Sequence, residues 1–321
     1  MKLVRQNDKF ARNRSPHLAG NRRLSLAGNR SLQIKAGIAV LTAAALASGC
    51  AGGAGGQDPV EPAHGQQVKQ AEQRAAAHAA RVAAVKKWKV AKMPLTPPKP
   101  PTTKKPITTR KGFEVTGQKN LPPVYTTVPT KDKVVFLTID DGADKDPEFL
   151  RMMSELKIPY TAFLSNYLIK EDYGFFKKMQ DRGVGLNNHT LTHRYMPGLS
   201  YAEQKREICG MQDIIEKRYG KRPQLFRPPY GNYNKDTLKA AKACGVTSVP
   251  LWNAEAFVDR MDWREWDRDL HPGDIILTHF RGKEDWKGTM PDMMRRLLKT
   301  VTDKGYAIAR LEDYLPAQAG R

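Results

Sequence analysis

The chain has 321 residues, with 54 Lys and Arg against 33 Asp and Glu, a formal net charge of +21. The excess is local: residues 1–111 carry 21 basic and 4 acidic side chains, whereas residues 112–321 carry 33 and 29. A nucleic-acid reader concentrates positive charge on its folded face, so that class is excluded for the near-balanced carboxy-terminal two-thirds, which is long enough for one domain with a sizeable core.

Residues 1–49 read as an export signal. Arg5, Lys9, Arg12, Arg14, Arg22, Arg23, Arg30 and Lys35 precede an uncharged run, AGIAVLTAAALASG, that ends at Cys50. A basic leader, about a dozen apolar residues and small residues at the end fit a leader, and the run is too short for a spanning helix. Ala47-Ser48-Gly49-Cys50 resembles a bacterial lipobox, with Ala47 in place of the usual leucine and Leu46 one position early. The resemblance implies lipidation of Cys50 and a position on the outer face of the cell membrane. Either an upstream start codon or a twin-arginine signal around Arg22 and Arg23 accounts for the length of the leader.

With Cys50 so used, Cys209 and Cys244 remain as a pair in an oxidising compartment, where a disulfide is permitted. Two buried thiols on neighbouring helices are the alternative. Residues 50–111 have the composition of a tether: a Gly-rich start, an Ala/Gln/Lys segment that makes at most a solvated helix, and the proline-rich PLTPPKPPTTKKP, an extended spacer. Its basic residues either attract anionic polymers or simply keep the segment solvated.

Beyond residue 111 the pattern alternates. Strands are expected near 134–139, 160–164, 184–186, 225–227, 247–251, 275–278 and 307–309, with helices near 147–156, 201–219, 235–243 and 291–304. About seven strand-then-helix units imply a parallel sheet closed into a (β/α) barrel, with an open doubly wound sheet as the second choice. No glycine-rich phosphate loop follows any of these strands, which argues against nucleotide chemistry.

Four of the strand ends carry chemistry. VVFLTIDDG stops an apolar run at Asp140 and Asp141, on the barrel face where reactions occur; helix capping is the plainer role for such a pair. His189-Thr190-Leu191-Thr192-His193 puts two imidazoles four residues apart, on one side of a helical turn, where both can reach one ion. With an Asp from the first strand they form a nitrogen and oxygen set suited to zinc or a related divalent ion with positions left open. Arg227-Pro228-Pro229-Tyr230-Gly231 offers a guanidinium for a carboxylate and a stiff turn that could aim the Tyr230 N–H as an oxyanion donor. Leu277-Thr278-His279 delivers an imidazole to the same face, the natural proton donor near neutral pH.

TIDDG, HTLTH, RPPYG, Asp259-Arg260-Met261-Asp262-Trp263 and LTH occur in the order of five motifs, and residues 131–315 resemble the polysaccharide deacetylases, the NodB-homology enzymes of carbohydrate esterase family 4. The resemblance implies a distorted (β/α) barrel in residues 112–321. It also implies one divalent metal, zinc first with cobalt, nickel or manganese as alternatives, and a polysaccharide substrate such as peptidoglycan or chitin. Carried over by motif, Asp140 is the general base, Asp141 with His189 and His193 the metal set, and Arg227 the partner of Asp140. The Tyr230 N–H is the oxyanion donor, His279 the general acid, and Leu277 the lining of the acetyl pocket. Ile139 replaces the phenylalanine common in the first motif. The fourth motif has two registers, because Trp252 and Glu255 compete with Asp259 and Asp262; Asp262 is taken as the residue that orients His279. Trp263 and Trp286 are candidate walls for a sugar ring. An O-acetyl esterase on xylan or another glycan, and a non-catalytic metal-dependent glycan-binding lipoprotein, are the other classes. Binding alone would not require Asp140, Arg227 and His279 together.

Overall fold

The computed structural model describes residues 61–316, with side chains from residue 66. The leader, the twin-arginine pair and Cys50 lie outside the described residues. Among those described, no helix is long and apolar enough to cross a membrane.

The strands are Val124–Tyr125 (β1), Val134–Asp141 (β2), Thr161–Leu164 (β3), Gly185–Asn188 (β4), Val249–Pro250 (β5), Ala254–Ala256 (β6), Met261–Trp263 (β7), Ile275–His279 (β8) and Ala307–Ala309 (β9). The helices are Glu61–Lys87 (α1), Pro147–Leu156 (α2), Asn166–Ile169 (α3), Tyr173–Gln180 (α4), Tyr201–Tyr219 (α5), Lys235–Ala243 (α6), Lys283–Trp286 (α7), Met290–Asp303 (α8) and Leu311–Tyr314 (α9). β4, β3, β2, β8 and β6 lie side by side and parallel, β9 runs parallel to the start of β2, and β7 pairs antiparallel with β6. Isolated bridges from Asn188 to Phe226 and from Leu225 to Ser248 carry the circuit on to β5, which pairs with β1. Hydrogen bonds from Leu251 N to Tyr125 O and from Ile275 N to Thr126 O bring it back to β8. This is the distorted barrel. Its weak arc is where 225–227 and 247–251 were expected as full strands, and where prolines at 223, 228, 229 and 250 remove ladder donors.

β2 is central, and all eight of its residues are buried, the uniform burial of a parallel strand covered on both faces. α5 starts with a capping box, Ser200 with Glu203, and ends at Gly220 in the left-handed conformation, so its bounds follow from sequence chemistry. Cys209 and Cys244 are bonded, tying α5 to the end of α6 across 35 residues.

The expected tether differs from the structure in its second half. Ala84, Trp88 and Val90 are buried in the core. Trp88 Nε1 donates to Glu155 Oε2 at 2.7 Å, Arg81 Nη2 to Pro94 O at 2.7 Å, and Leu95 bridges to Ala307 beside β9. The apolar residues sit at the helix end and just past it, so no stripe along the helix announces the contact.

Candidate active site

β2 ends in a forced turn. Asp141 has φ 82° and Gly142 φ 95°, and a Cβ at Gly142 would lie 2.5 Å from Ile169 Cγ2. Only glycine serves there. The turn leaves two buried carboxylates with different surroundings.

Asp140 Oδ1 accepts from Arg227 Nη1 at 2.7 Å. Arg227 is wholly buried, donates from Nε to Pro250 O at 2.8 Å, and stacks 4.3 Å from the Phe163 ring. The guanidinium is thereby fixed, and it fixes Asp140. Burial pushes the Asp140 carboxyl up, while Arg227 and His279 oppose the rise. In the β2/β8 register Asp140 stands directly beside His279.

Burial would also raise Asp141, but His279, His193, Arg281 and His189 together pull it down to about 2. Its Oδ2 accepts from Arg281 Nη2 at 2.7 Å. Its Oδ1 is buried without a hydrogen-bond partner, 3.6 Å from His189 Nε2 and 3.3 Å from His193 Nε2. One ligand atom from each of these three residues lies within 4.8 Å of the others. An ionised, unpartnered oxygen facing two imidazole nitrogens is the donor set a divalent cation takes. Burial lowers both histidines to about 4, so they are neutral near pH 7, as ligands must be. His189 Nδ1 sits 2.7 Å from Arg227 O, which makes Nδ1 the protonated nitrogen and leaves the Nε2 lone pair toward the set.

The two histidines do not ride on a helix, contrary to the spacing argument. Thr190 and His193 have φ 75° and 56°, so the segment is a loop with two left-handed residues. Several groups hold it there. Asn188 Oδ1 accepts from Thr190 N at 2.8 Å, Thr190 Oγ1 from His193 N at 3.0 Å, and Ser165 Oγ donates to His189 O at 2.6 Å. From α5, the buried Glu207 takes Thr192 N at 2.8 Å on one carboxylate oxygen and Thr192 Oγ1 at 2.7 Å on the other. Leu191 N also donates to Glu207 O at 3.2 Å, and Leu191 packs so tightly on α5 that a Cβ at Gly210 would come within 2.7 Å of it.

His279 ends β8, buried, with Nδ1 3.5 Å from Glu255 Oε1. Asp262, expected as its partner, pairs elsewhere: its carboxylate meets Arg260 Nε at 3.1 Å, and Asp259 pairs with the same arginine at 3.4 Å. Glu255 and Asp262 oppose each other across the antiparallel β6/β7 pair, with Glu255 buried and Asp262 partly exposed, so the inner position belongs to Glu255. Burial, then the carboxylates of Asp262 and Asp140, raise Glu255 to about 8.

Tyr230, at φ 60° in the turn Pro229–Gly231, stands at the rim with its ring 4.7 Å from that of His193. Tyr167, 43% exposed, is also near, its ring 6.4 Å from that of His193. Leu277 is wholly buried two residues before His279, on the same face of β8. Trp263 packs on the core with Lys304 Nζ 5.8 Å from its ring, and Trp286 packs on Phe257; both belong to the scaffold. Sequence reasoning missed Arg281, Glu207 and Tyr167. Their only signals are a basic residue two past His279, one of three Glu on α5, and a tyrosine after β3.

A family profile for polysaccharide deacetylases matches residues 127–249. An uncharacterized protein of Streptomyces coelicolor is 40% identical over 61% of this chain and 79% of its own length. The chain belongs to the polysaccharide deacetylase family. Within that family, a peptidoglycan-N-acetylglucosamine deacetylase of Bacillus cereus is 27% identical over 64% of this chain and 97% of its own. A solved carbohydrate esterase family 4 pseudoenzyme from Bacillus anthracis shares the fold, with a TM-score of 0.51, 22% identity, and coverage of 61% of this chain and 69% of its own. Family membership and fold therefore leave activity to be argued from the site.

Proposed function

We propose that the chain is a metal-dependent hydrolase that removes acetyl from N-acetylated sugars of a polysaccharide, with peptidoglycan first. One observation carries the reading: the Arg227-held Asp140 stands beside His279 in the β2/β8 register and 3.6 Å from His189 of the Asp141, His189 and His193 set. A binding site needs the set but not a buried base and acid beside it.

Asp141, His189 and His193 would hold a divalent ion, zinc first, which when bound acts as a Lewis acid on the acetyl oxygen and on water. Asp140 takes the proton of the attacking water, and its raised pKa suits a base. Arg227 keeps the carboxylate oriented through that step. The Tyr230 N–H would meet the oxyanion as the carbonyl becomes tetrahedral. Amide cleavage then requires a proton on the leaving nitrogen, and His279, beside the base across β2/β8 and 3.5 Å from Glu255, would deliver it. Tyr230 and Tyr167, exposed and near His193, are the aromatic faces on which a sugar ring would lie. The leader and Cys50 support a location on the outer face of the membrane, among wall polymers, held there by lipid.

The test is acetate and free-amine release from N-acetylglucosamine oligomers and from purified wall glycan. Release that chelator stops, zinc restores and Asp140→Asn reduces by at least 1,000-fold is expected. Acetate without amine would move the substrate to an O-acetyl ester, and zinc binding with no release from any acetylated glycan would leave a binding protein.

A further inference from the structure

Trp266 is 91% exposed, whereas the other exposed large apolar side chains among the described residues reach at most 53%. It borders a cleft of about 450 Å³ that is distinct from the active site. Asp274, at the cleft, precedes β8, and His279 ends it, so about 17 Å of strand separates the two.

The cleft is mixed: Ile107, Tyr125 and Pro129 line it beside Trp266, and its polar groups are internally braced. Arg110 Nη1 donates to Asn253 Oδ1 at 2.8 Å, and Nη2 pairs with Glu265. Asn253 Nδ2 donates to Asp274 Oδ1 at 2.9 Å, and His271 Nε2 lies 3.1 Å from Asp267 Oδ2. Planar polar groups fixed by one another, beside a bare indole, complement a sugar ring, which has one apolar C–H face and a rim of hydroxyls. A protein partner would need a broad exposed apolar patch to exclude water, whereas here Trp266 is the one well-exposed large apolar side chain among the described lining residues, Tyr125 being buried. An anionic membrane or polymer would meet three carboxylates, Glu265, Asp267 and Asp274, against the single guanidinium of Arg110.

We propose that the Trp266 cleft is a second glycan-binding site, which takes a neutral or amine-bearing stretch of the polysaccharide whose acetyl groups the active site removes. The proposal rests on the glycan reading of the active site. Holding the polymer at a distance from the reaction raises the local concentration of substrate without any contact to the reacting unit.

The experiment measures adsorption of the purified protein to insoluble wall glycan, together with turnover of a short soluble N-acetylglucosamine oligomer. Trp266→Ala is expected to weaken adsorption about tenfold and Trp266→Phe less, with turnover of the short oligomer unchanged in both. Asp267→Asn, which leaves the indole in place, is expected to weaken adsorption by a smaller factor. Adsorption of Trp266→Ala equal to that of the unaltered protein overturns the proposal, as does Trp266-dependent binding to phosphatidylglycerol vesicles without binding to glycan. Trp266-dependent adsorption by a protein that releases no acetate supports this site while removing the deacetylase reading. Acetate release with adsorption indifferent to Trp266 does the reverse.

Discussion

Both carboxylate oxygens of Glu255 are buried without a hydrogen-bond partner, an arrangement that favours the neutral acid. Its pKa of about 8 against an ordinary 4.5 has a sign that can be checked. Between these values the unfolded chain has given up a proton that the folded chain retains. Stability from this group therefore falls as pH rises, by up to roughly 1.4 kcal/mol per pH unit, and the penalty is complete above about 8. Glu255→Gln removes the proton. In metal-free protein, denaturant midpoints should show the unaltered chain losing stability relative to Glu255→Gln from pH 5 to pH 8. Parallel curves would show that Glu255 ionises normally and faces water. The sequence offered Glu255 as a competitor of Asp259 and Asp262 and left the choice open, because all are acids near a tryptophan. Glu255 and Asp262 oppose each other on one face, and Glu255 is the inner one because β6 adjoins β8 while β7 lies beyond it, a strand order that no linear spacing encodes.

At the scale of elements, β2 was legible as a β-branched run ending in DDG, and the capping alternative for its two aspartates receded only beside the later His and Arg motifs. The parallel sense of β3, β4 and β8 beside it followed from strand and helix alternation, while their order did not. The histidine loop was half legible: the ligands were found, but the helix assumed to carry them is absent. Left-handed Thr190 and His193 cost of order 1–3 kcal/mol each, and α5 must hold them against that tendency to relax. Glu207 is the part of α5 that reaches the loop, with one carboxylate oxygen on Thr192 N and the other on Thr192 Oγ1. Glu207→Ala should lower zinc affinity by about 10–100-fold, the usual cost of losing a group that orients a ligand. Glu207→Gln should stay near the unaltered value, because its amide oxygen can accept from Thr192 N while its NH2 donates to Thr192 Oγ1. Calorimetric zinc titration of the apo protein distinguishes the two. Equal affinity in Glu207→Ala would mean that Asn188 and Ser165 suffice.

On the scale of the whole chain, composition drew the border between arm and domain at residue 112, and packing draws it earlier. Residues 84–110 lie against the domain through Ala84, Trp88, Val90, the Leu95 bridge, and Arg110, which donates to Thr126 and Asn253. A proline-rich, basic stretch offers no periodic signal because it docks by single anchors rather than by a face. Trp88 is the largest of these anchors. It is buried, hydrogen-bonded through its indole to Glu155, and its carbonyl accepts from Arg295 on α8 at 3.4 Å. Replacing it with alanine removes an aromatic from a closed site and leaves Glu155 with one donor fewer, so Trp88→Ala should cost about 3–5 kcal/mol. A protein that begins at residue 112 should lose at least as much and unfold at a clearly lower temperature than one that begins at residue 72. Thermal and urea unfolding of the three proteins provide the comparison. Coincident transitions for the residue-72 and residue-112 forms would return residues 84–111 to the role of a free spacer. A large loss would instead make this stretch a strap, so that any anchor upstream pulls on the barrel itself rather than on a slack linker.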